Sequence, residues 1–117
     1  MYQLTFSEQS MSELEKLNRE DQLSFVSKIS DASNRAFTEN HNTIPKFQRE
    51  GKTFYRIKVD TYRAYIEKTG EETILCQYIL PKHTLSDFLF RSKFPVSEEQ
   101  MVEQHSSFWK YLESLKK

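Results

Sequence analysis

Three successive segments in the middle of the chain have the hydrophobic pattern of β-strands. They span residues 53–59, 62–68 and 73–80, and short polar turns separate them. In the first two segments, hydrophobic and polar residues tend to alternate, which is typical of strands with two unlike faces. The third segment, TILCQYIL, is hydrophobic at almost every position, as a central strand covered on both faces would be. The short turns predict antiparallel pairing of neighbouring strands.

The part of the chain before these strands has a helical pattern. Residues 2–6 alternate as one short opening strand, and hydrophobic residues then recur three or four positions apart as far as residue 37. A polar break at residues 18–21 divides this stretch, so residues 8–37 predict a helical hairpin. The hairpin would supply the hydrophobic surface that one face of the sheet requires.

Two helices are predicted after the strands. Thr84 and Asp87 have the spacing of a capping box, which predicts a short helix capped by Thr84. Beyond Pro95, four hydrophobic residues and one histidine follow at spacings of three and four, which predicts an amphipathic helix. The members of this stripe are Met101, His105, Phe108, Leu112 and Leu115.

Together these elements predict an α+β fold. We expect a mainly antiparallel sheet of three or four strands that packs against the N-terminal helical hairpin. A chain of 117 residues is long enough for one domain with a modest core. We assign residues 1–93 to that domain and residues 94–117 to a helical extension of the same domain.

The composition narrows the class of protein. The chain has 17 basic and 17 acidic residues, and a net charge of zero argues against a protein that simply coats nucleic acid. No hydrophobic run has the length of a membrane span and the N-terminus lacks the pattern of a signal peptide, so we expect a cytoplasmic protein with no membrane partner. One cysteine and three scattered histidines exclude an internal disulfide and give no pattern of a metal or cofactor site.

The basic residues are concentrated in the predicted sheet. Residues 45–68 hold seven lysines and arginines against three acidic residues. Because side chains alternate across a strand, Arg56 and Lys58 share the face away from the helical hairpin, and Arg63 and Tyr65 join them on the next strand. Like charges gathered in this way repel one another unless they serve an anion. The alternative is a solvated sheet face on which nearby acidic residues offset the charge.

A histidine adds to this basic surface. His83 follows the third strand and lies at the predicted start of the next helix, with Lys82 beside it. Histidine is the side chain that most readily exchanges protons near neutral pH, which makes His83 a candidate acid or base. The alternative is an ordinary surface residue in a turn.

Two segments of the chain carry a family resemblance. The first is FYRIKVDTYRAYIE at residues 54–67, and the second is YILPKHTLSDFLFR at residues 78–91. Together with the predicted order of elements, they resemble the RelE/ParE superfamily of toxins from bacterial type II toxin–antitoxin systems. The resemblance extends over residues 2–93, and it implies the fold of that superfamily and a cognate antitoxin as partner.

The resemblance also implies an activity. RelE-like members cleave messenger RNA on the ribosome without a metal, by attack of the RNA's own 2′-hydroxyl group. Their pattern assigns Arg56, Lys58 and Arg63 to the phosphate, and it assigns His83 to proton transfer. The residues that would contact the RNA are Lys46, Tyr65, Lys82, Phe88 and Arg91.

Two features depart from the family pattern. Many of the nucleases carry a tyrosine on the closing helix, where this chain has Phe88, Leu89 and Phe90. Phenylalanine can stack on a base but cannot transfer a proton. The net charge of zero also differs from toxins that are commonly basic. Two other functions therefore stay open, namely a ParE-like poison of DNA gyrase without nuclease activity and a non-toxic interaction module on the same fold.

Overall fold

The structure is a computed structural model that describes residues 3–38, 46–49, 51–92 and 105–115. Five strands and four helices lie in this part of the chain. In chain order they are β1 Gln3–Phe6, α1 Glu8–Glu15, α2 Arg19–Thr38, β2 Lys46–Arg49, β3 Lys52–Val59, β4 Tyr62–Lys68, β5 Thr73–Pro81, α3 Lys82–Ser92 and α4 Ser106–Ser114.

The strands form one mixed sheet in the order β1-β5-β4-β3-β2. β1 runs parallel to β5, and the other three neighbouring pairs are antiparallel. The α+β class is confirmed. The predicted number of three or four strands was too low, because β2 is a further strand that pairs with β3 along all of its length. Gly51 in the β2–β3 turn has a φ of +81°, a conformation that glycine adopts without strain.

Helices α1 and α2 cover one face of the sheet, which we call the hairpin face. Ile29 of α2 is fully buried in a hydrophobic cluster with Ala64 and Ile66 of β4. Tyr55 of β3 extends this face through an edge-to-face contact with Phe37 of α2, with ring centroids 4.7 Å apart. The two-residue alternation of β3 and β4 was therefore predicted in the correct register. No described helix is long and apolar enough to cross a membrane.

Helices α3 and α4 cover the opposite face, as the hydrophobic third strand predicted, although the basic residues of β3 and β4 were expected to be open to solvent there. Phe108 and Leu112 of α4 are fully buried in a second hydrophobic cluster. The Phe108 ring centroid lies 5.9 Å from that of Tyr65 on β4 and 5.8 Å from that of Phe88 on α3. The prediction of an open face is wrong because the hydrophobic stripe of α4 is buried against this face of the sheet.

The start of α4 also differs from the prediction. His105 does not belong to the buried stripe and caps the helix instead, because its Nδ1 accepts a hydrogen bond from the backbone N–H of Ser107 at 3.1 Å. Met101, which the sequence placed in the same stripe, lies outside the described residues. Within the described part of α4, the buried stripe begins at Phe108.

Side chains of the N-terminal segment complete the edge of β5 where β1 ends. β1 pairs with β5 only as far as Cys76. Beyond that point, Ser7 Oγ donates to the carbonyl oxygen of Gln77 at 2.6 Å. The Gln9 amide then binds Ile79 as a strand would, since Nε2 donates to the Ile79 carbonyl at 2.8 Å and Oε1 accepts from the Ile79 N–H at 2.9 Å. These bonds satisfy main-chain groups that a bare strand edge would leave unpaired.

Contacts from both helical layers hold the β3–β4 turn. Asp60 in this turn has a φ of 55°, and both of its carboxylate oxygens accept hydrogen bonds from Lys28 Nζ of α2 at 3.2 Å. On the other side of the sheet, the backbone N–H of Lys82 donates to the carbonyl oxygen of Thr61 at 2.6 Å. The first residue of α3 is therefore fixed to the turn.

Phe108→Ala tests the second hydrophobic cluster. Removal of a fully buried ring should lower the free energy of unfolding by about 3–5 kcal/mol. Phe90→Ala is the matched control, because Phe90 is 85% exposed and its loss should change stability by less than about 0.5 kcal/mol. Urea denaturation followed by circular dichroism measures both values. Equally small effects would contradict the packing of α4 on the sheet.

Candidate functional site

Four residues singled out in the sequence lie together on the face of β3 and β4 that α4 covers. Arg56 lies opposite Tyr65 in the antiparallel ladder, and Lys58 lies opposite Arg63. Side chains in such pairs have Cβ atoms about 5 Å apart. The predicted grouping of these four side chains on one face is therefore present in the structure.

The exposure of the four side chains differs sharply. Lys58 is exposed. Arg63 keeps 8% of its surface, Arg56 keeps 3% and Tyr65 keeps 1%, since α4 packs over this part of the sheet through Phe108. The expectation that Arg56 and Arg63 lie on a solvated face is wrong for this reason. The most open part of the face is its end at the β3–β4 turn, where Lys58 lies.

Arg63 is a buried cation with few partners. Its Nη1 donates to the carbonyl oxygen of Tyr62 at 3.1 Å, and its buried Nε has no hydrogen-bond partner among the described residues. No ion pair joins Arg63 to a carboxylate within the described part of the chain. Burial of a cation without a counter-ion costs free energy of folding. Proteins accept unfavourable arrangements of this kind mainly at functional sites. An anion beside Arg63 would complete its hydrogen bonds.

His83 and Lys82 lie beside the β3–β4 turn. The helix α3 begins at Lys82 and not after a cap at Thr84, so the predicted capping box is wrong. The Lys82 N–H is satisfied by the carbonyl oxygen of Thr61, so this helix start has a main-chain partner in the turn. Both basic side chains are exposed, and they lie at the same end of the sheet as Lys58.

The other predicted RNA contacts lie elsewhere. Phe88 is buried in the second hydrophobic cluster and so cannot stack on a base. Arg91 is exposed in the last turn of α3, about 12 Å along the helix from His83. Lys46 lies opposite Tyr55, whose ring packs on the hairpin face. Lys46 therefore also lies on the hairpin face, on the side of the sheet away from Arg63.

Four of the predicted residues lie at the same end of the sheet, and we call them the basic end: Lys58, Arg63, Lys82 and His83. Three cations and an imidazole suit a phosphate or carboxylate group and can also transfer a proton. The carbonyl group of Thr61, which positions α3, was not predicted, because main-chain acceptors leave no signal in the composition. Among the described residues, no group of three or more His, Cys, Asp or Glu could hold a metal ion.

Burial raises the pKa of three groups outside the basic end. Cys76 is fully buried, and this burial raises the pKa of its thiol well above the ordinary value of 9.0, although a hydrogen bond with Ser10 acts in the opposite direction. Burial likewise raises the pKa of Tyr78 and of Tyr111. These groups stay protonated near neutral pH, so none of them is suited to act there as a nucleophile or base.

Comparison with known proteins gives no family for this chain. No protein-family model matches it, and no similar protein was found among curated proteins or solved structures. The resemblance to RelE/ParE toxins therefore depends on the two segments quoted above.

Cys76→Ala should change how stability depends on pH. The folded protein keeps the thiol protonated above its ordinary pKa of 9.0, whereas the unfolded chain ionises there. The resulting stabilisation is full below pH 9 and declines above it, so the wild type should lose about 1.4 kcal/mol more than the variant between pH 8 and pH 10. Urea unfolding of both proteins at the two pH values measures this difference. An identical pH dependence would contradict the burial of the thiol.

Arg63→Met tests whether Arg63 is buried without a counter-ion. A hydrophobic side chain of similar length should leave the free energy of unfolding unchanged or raise it by up to about 2 kcal/mol. Lys58→Met is the control, because Lys58 is exposed and opposite Arg63, and it should have little effect. Urea denaturation measures both variants. A loss of about 3 kcal/mol or more in Arg63→Met would show that Arg63 has a structural partner.

Proposed function

We propose that this protein is a toxin of the RelE/ParE type that inhibits translation by cleaving messenger RNA on the ribosome. The N-terminal helical hairpin and the predominantly antiparallel sheet agree with the fold that the resemblance implies. The observation that carries the proposal is the basic end. There, a buried Arg63 without an acidic partner among the described residues lies opposite Lys58, at the end of the sheet where α3 begins with Lys82 and His83.

The reaction requires groups that the basic end contains. The 2′-hydroxyl of the RNA loses its proton to a base, and its oxygen forms a bond to the neighbouring phosphorus. The bond from phosphorus to the 5′-oxygen breaks, and that oxygen gains a proton from an acid. Negative charge develops on the phosphate oxygens, so cations beside them stabilise the transition state. We assign Lys58 and Arg63 to this charge and His83 to proton transfer.

Arg56 and Tyr65 have a supporting role in this proposal. Both are buried at the middle of the face, whereas Arg63, also buried, lies at its end opposite the exposed Lys58, so we assign no direct RNA contact to Arg56 or Tyr65. The Arg56 charge would still raise the positive potential at the basic end, because low-dielectric surroundings screen it less than water does. We therefore assign the phosphate contacts to Arg63 and Lys58 and not to Arg56.

A non-toxic interaction module is the second candidate. The burial of Arg56 and Tyr65 favours it, since it leaves fewer groups for chemistry than the resemblance implies. An interaction module would use the basic end to bind an acidic partner and would require no proton transfer by His83.

We also propose a cognate antitoxin as the protein partner. An acidic, amphipathic segment would match both the charge of the basic end and the hydrophobic surface of α3, where Phe90 is exposed. Binding of that segment would block the approach of RNA. Co-expression of the product of an adjacent gene should then restore growth, and failure of every neighbouring product to do so would contradict this partner.

Induced expression in bacteria tests the proposed nuclease. The wild type should arrest growth and produce new messenger RNA ends, which can be mapped by sequencing. His83→Gln should reduce the cleavage rate by roughly 10²–10⁴-fold on purified ribosomes, the usual contribution of a positioned acid or base. Lys58→Gln and Arg63→Met should each weaken cleavage through the loss of phosphate contacts. Lys110→Gln, at an exposed position on α4, is the control and should behave as the wild type.

The outcomes separate the three functions. Full growth arrest by the triple variant at Lys58, Arg63 and His83 would exclude the nuclease. DNA breaks in place of new RNA ends would support a gyrase poison. No effect of the wild type on growth, combined with stable binding of an acidic protein, would support the interaction module.

A further inference from the structure

Phe90 of α3 is a large hydrophobic residue that the fold leaves in solvent. Its exposed fraction is 85%, whereas Leu85 and Phe88 of the same helix are buried in the second hydrophobic cluster. The two buried residues hold α3 on the sheet, and Phe90 takes no part in that packing. A single exposed ring is common on protein surfaces, so its position relative to other groups decides what it can bind.

Phe90 lies on the same side of α3 as His83 of the basic end. The two residues are seven positions apart on this helix, which is about two turns, so their side chains leave the helix in nearly the same direction. At a rise of about 1.5 Å per residue, they are separated by about 10 Å along the helix axis. A ligand that extends from the basic end along α3 would therefore reach the Phe90 ring.

Exposed cations lie at both ends of this path. Lys82 precedes His83 at the start of α3, and Arg91 follows Phe90 in its last turn. The helix has one acidic residue, Asp87, which is exposed between the two ends. Arg91 follows Asp87 by four positions, the spacing at which opposite charges on a helix offset each other. The permanent charges of α3 thus favour an anionic ligand.

A single strand of RNA has the chemistry that this surface would bind. Proteins hold single strands with cations beside the phosphates and with exposed aromatic rings on which unpaired bases stack. The hydrophobic face of a partner helix would instead require several exposed hydrophobic residues about one turn apart. Among the α3 side chains that the structure describes, Phe90 is the one exposed large hydrophobic residue. An isolated ring between charged groups therefore favours a base.

We infer that Phe90 is a stacking platform for RNA. The basic end holds the phosphate at which the chain is cleaved, and the unpaired base of a flanking nucleotide stacks on the Phe90 ring. This role rests on the nuclease proposed above, whose substrate contacts it extends beyond the cleaved bond. Phe88 had been predicted to contact the RNA, but Phe90 has the exposure that stacking requires. The proposed antitoxin segment would cover the same ring and so compete with RNA.

Binding of a short RNA to the full chain tests this contact without the ribosome and without cleavage. The probe is a single strand of about four nucleotides, the lower end of known site sizes. Its 2′-hydroxyl groups are methylated so that it cannot be cleaved. Titration followed by backbone NMR should shift the amide signals of His83 and Phe90 and gives the affinity.

Variants of Phe90 separate the ring from its hydrophobic character. Phe90→Leu keeps a hydrophobic side chain but removes the ring, and it should weaken binding by about fivefold or more, the lower end of what one stacked base contributes. Phe90→Trp keeps an aromatic face and should bind at least as tightly as the wild type. Leu23→Ala is the matched control, because Leu23 is also an exposed hydrophobic residue but lies on α2 at the hairpin face.

Probes that lack one base at a time identify the stacked nucleotide. One of these abasic probes should bind the wild type less tightly and should bind Phe90→Leu with no further loss, because the ring and the base make the same contact. Asp87→Asn removes a negative charge beside the strand and should tighten binding by up to about fivefold.

Three results would overturn the inference. The first is equal affinity of the wild type and Phe90→Leu for the intact probe. The second is a set of amide shifts confined to the basic end, without Phe90. The third is weaker binding of an acidic partner protein by Phe90→Leu with unchanged affinity for RNA, which would assign the ring to a protein contact.

His83→Gln distinguishes this inference from the nuclease proposal. It should keep most of the affinity for the methylated probe, since the other cations of the basic end remain, while it loses cleavage of messenger RNA. Binding of RNA through Phe90 by a wild type that cleaves nothing would contradict the nuclease alone. Cleavage by the wild type together with full RNA affinity in Phe90→Leu would contradict the stacking alone, and no binding of the probe by the wild type would contradict both.

Discussion

Strand β5 is hydrophobic on both faces, and the rest of the structure depends on keeping both faces out of water. Ile74 and Cys76 are buried against the helical hairpin, and Tyr78 and Leu80 are buried on the opposite side. One helical layer cannot cover a strand of this kind, so α1 and α2 pack on one face and α3 and α4 on the other. β5 also lies between β1 and β4 in the sheet, so both of its edges are paired with other strands.

The second layer decides which residues remain open for chemistry. Because α4 covers the middle of its face, Arg56 and Tyr65 are buried there, and the exposed groups Lys58, Lys82 and His83 lie at the β3–β4 turn beside the buried Arg63. The same turn receives Lys28 from α2 and the first N–H of α3, so contacts from both layers fix it. The basic end therefore lies at the edge of the hydrophobic core. The packed core gives rigid support to a site that binds an anion.

The sequence predicted those parts of the fold that follow from local periodicity. The alternation in β3 and β4 identified the correct faces, and the three-residue spacing of Leu23, Val26 and Ile29 identified a helix of the hairpin. The strand β2 was missed because its four residues, KFQR, contain one hydrophobic residue and so have no clear period. The stripe of α4 predicted an amphipathic helix, but periodicity does not specify which surface such a helix covers. The burial of Arg56 and Arg63 follows from that tertiary contact and could not be predicted from their positions in the strands.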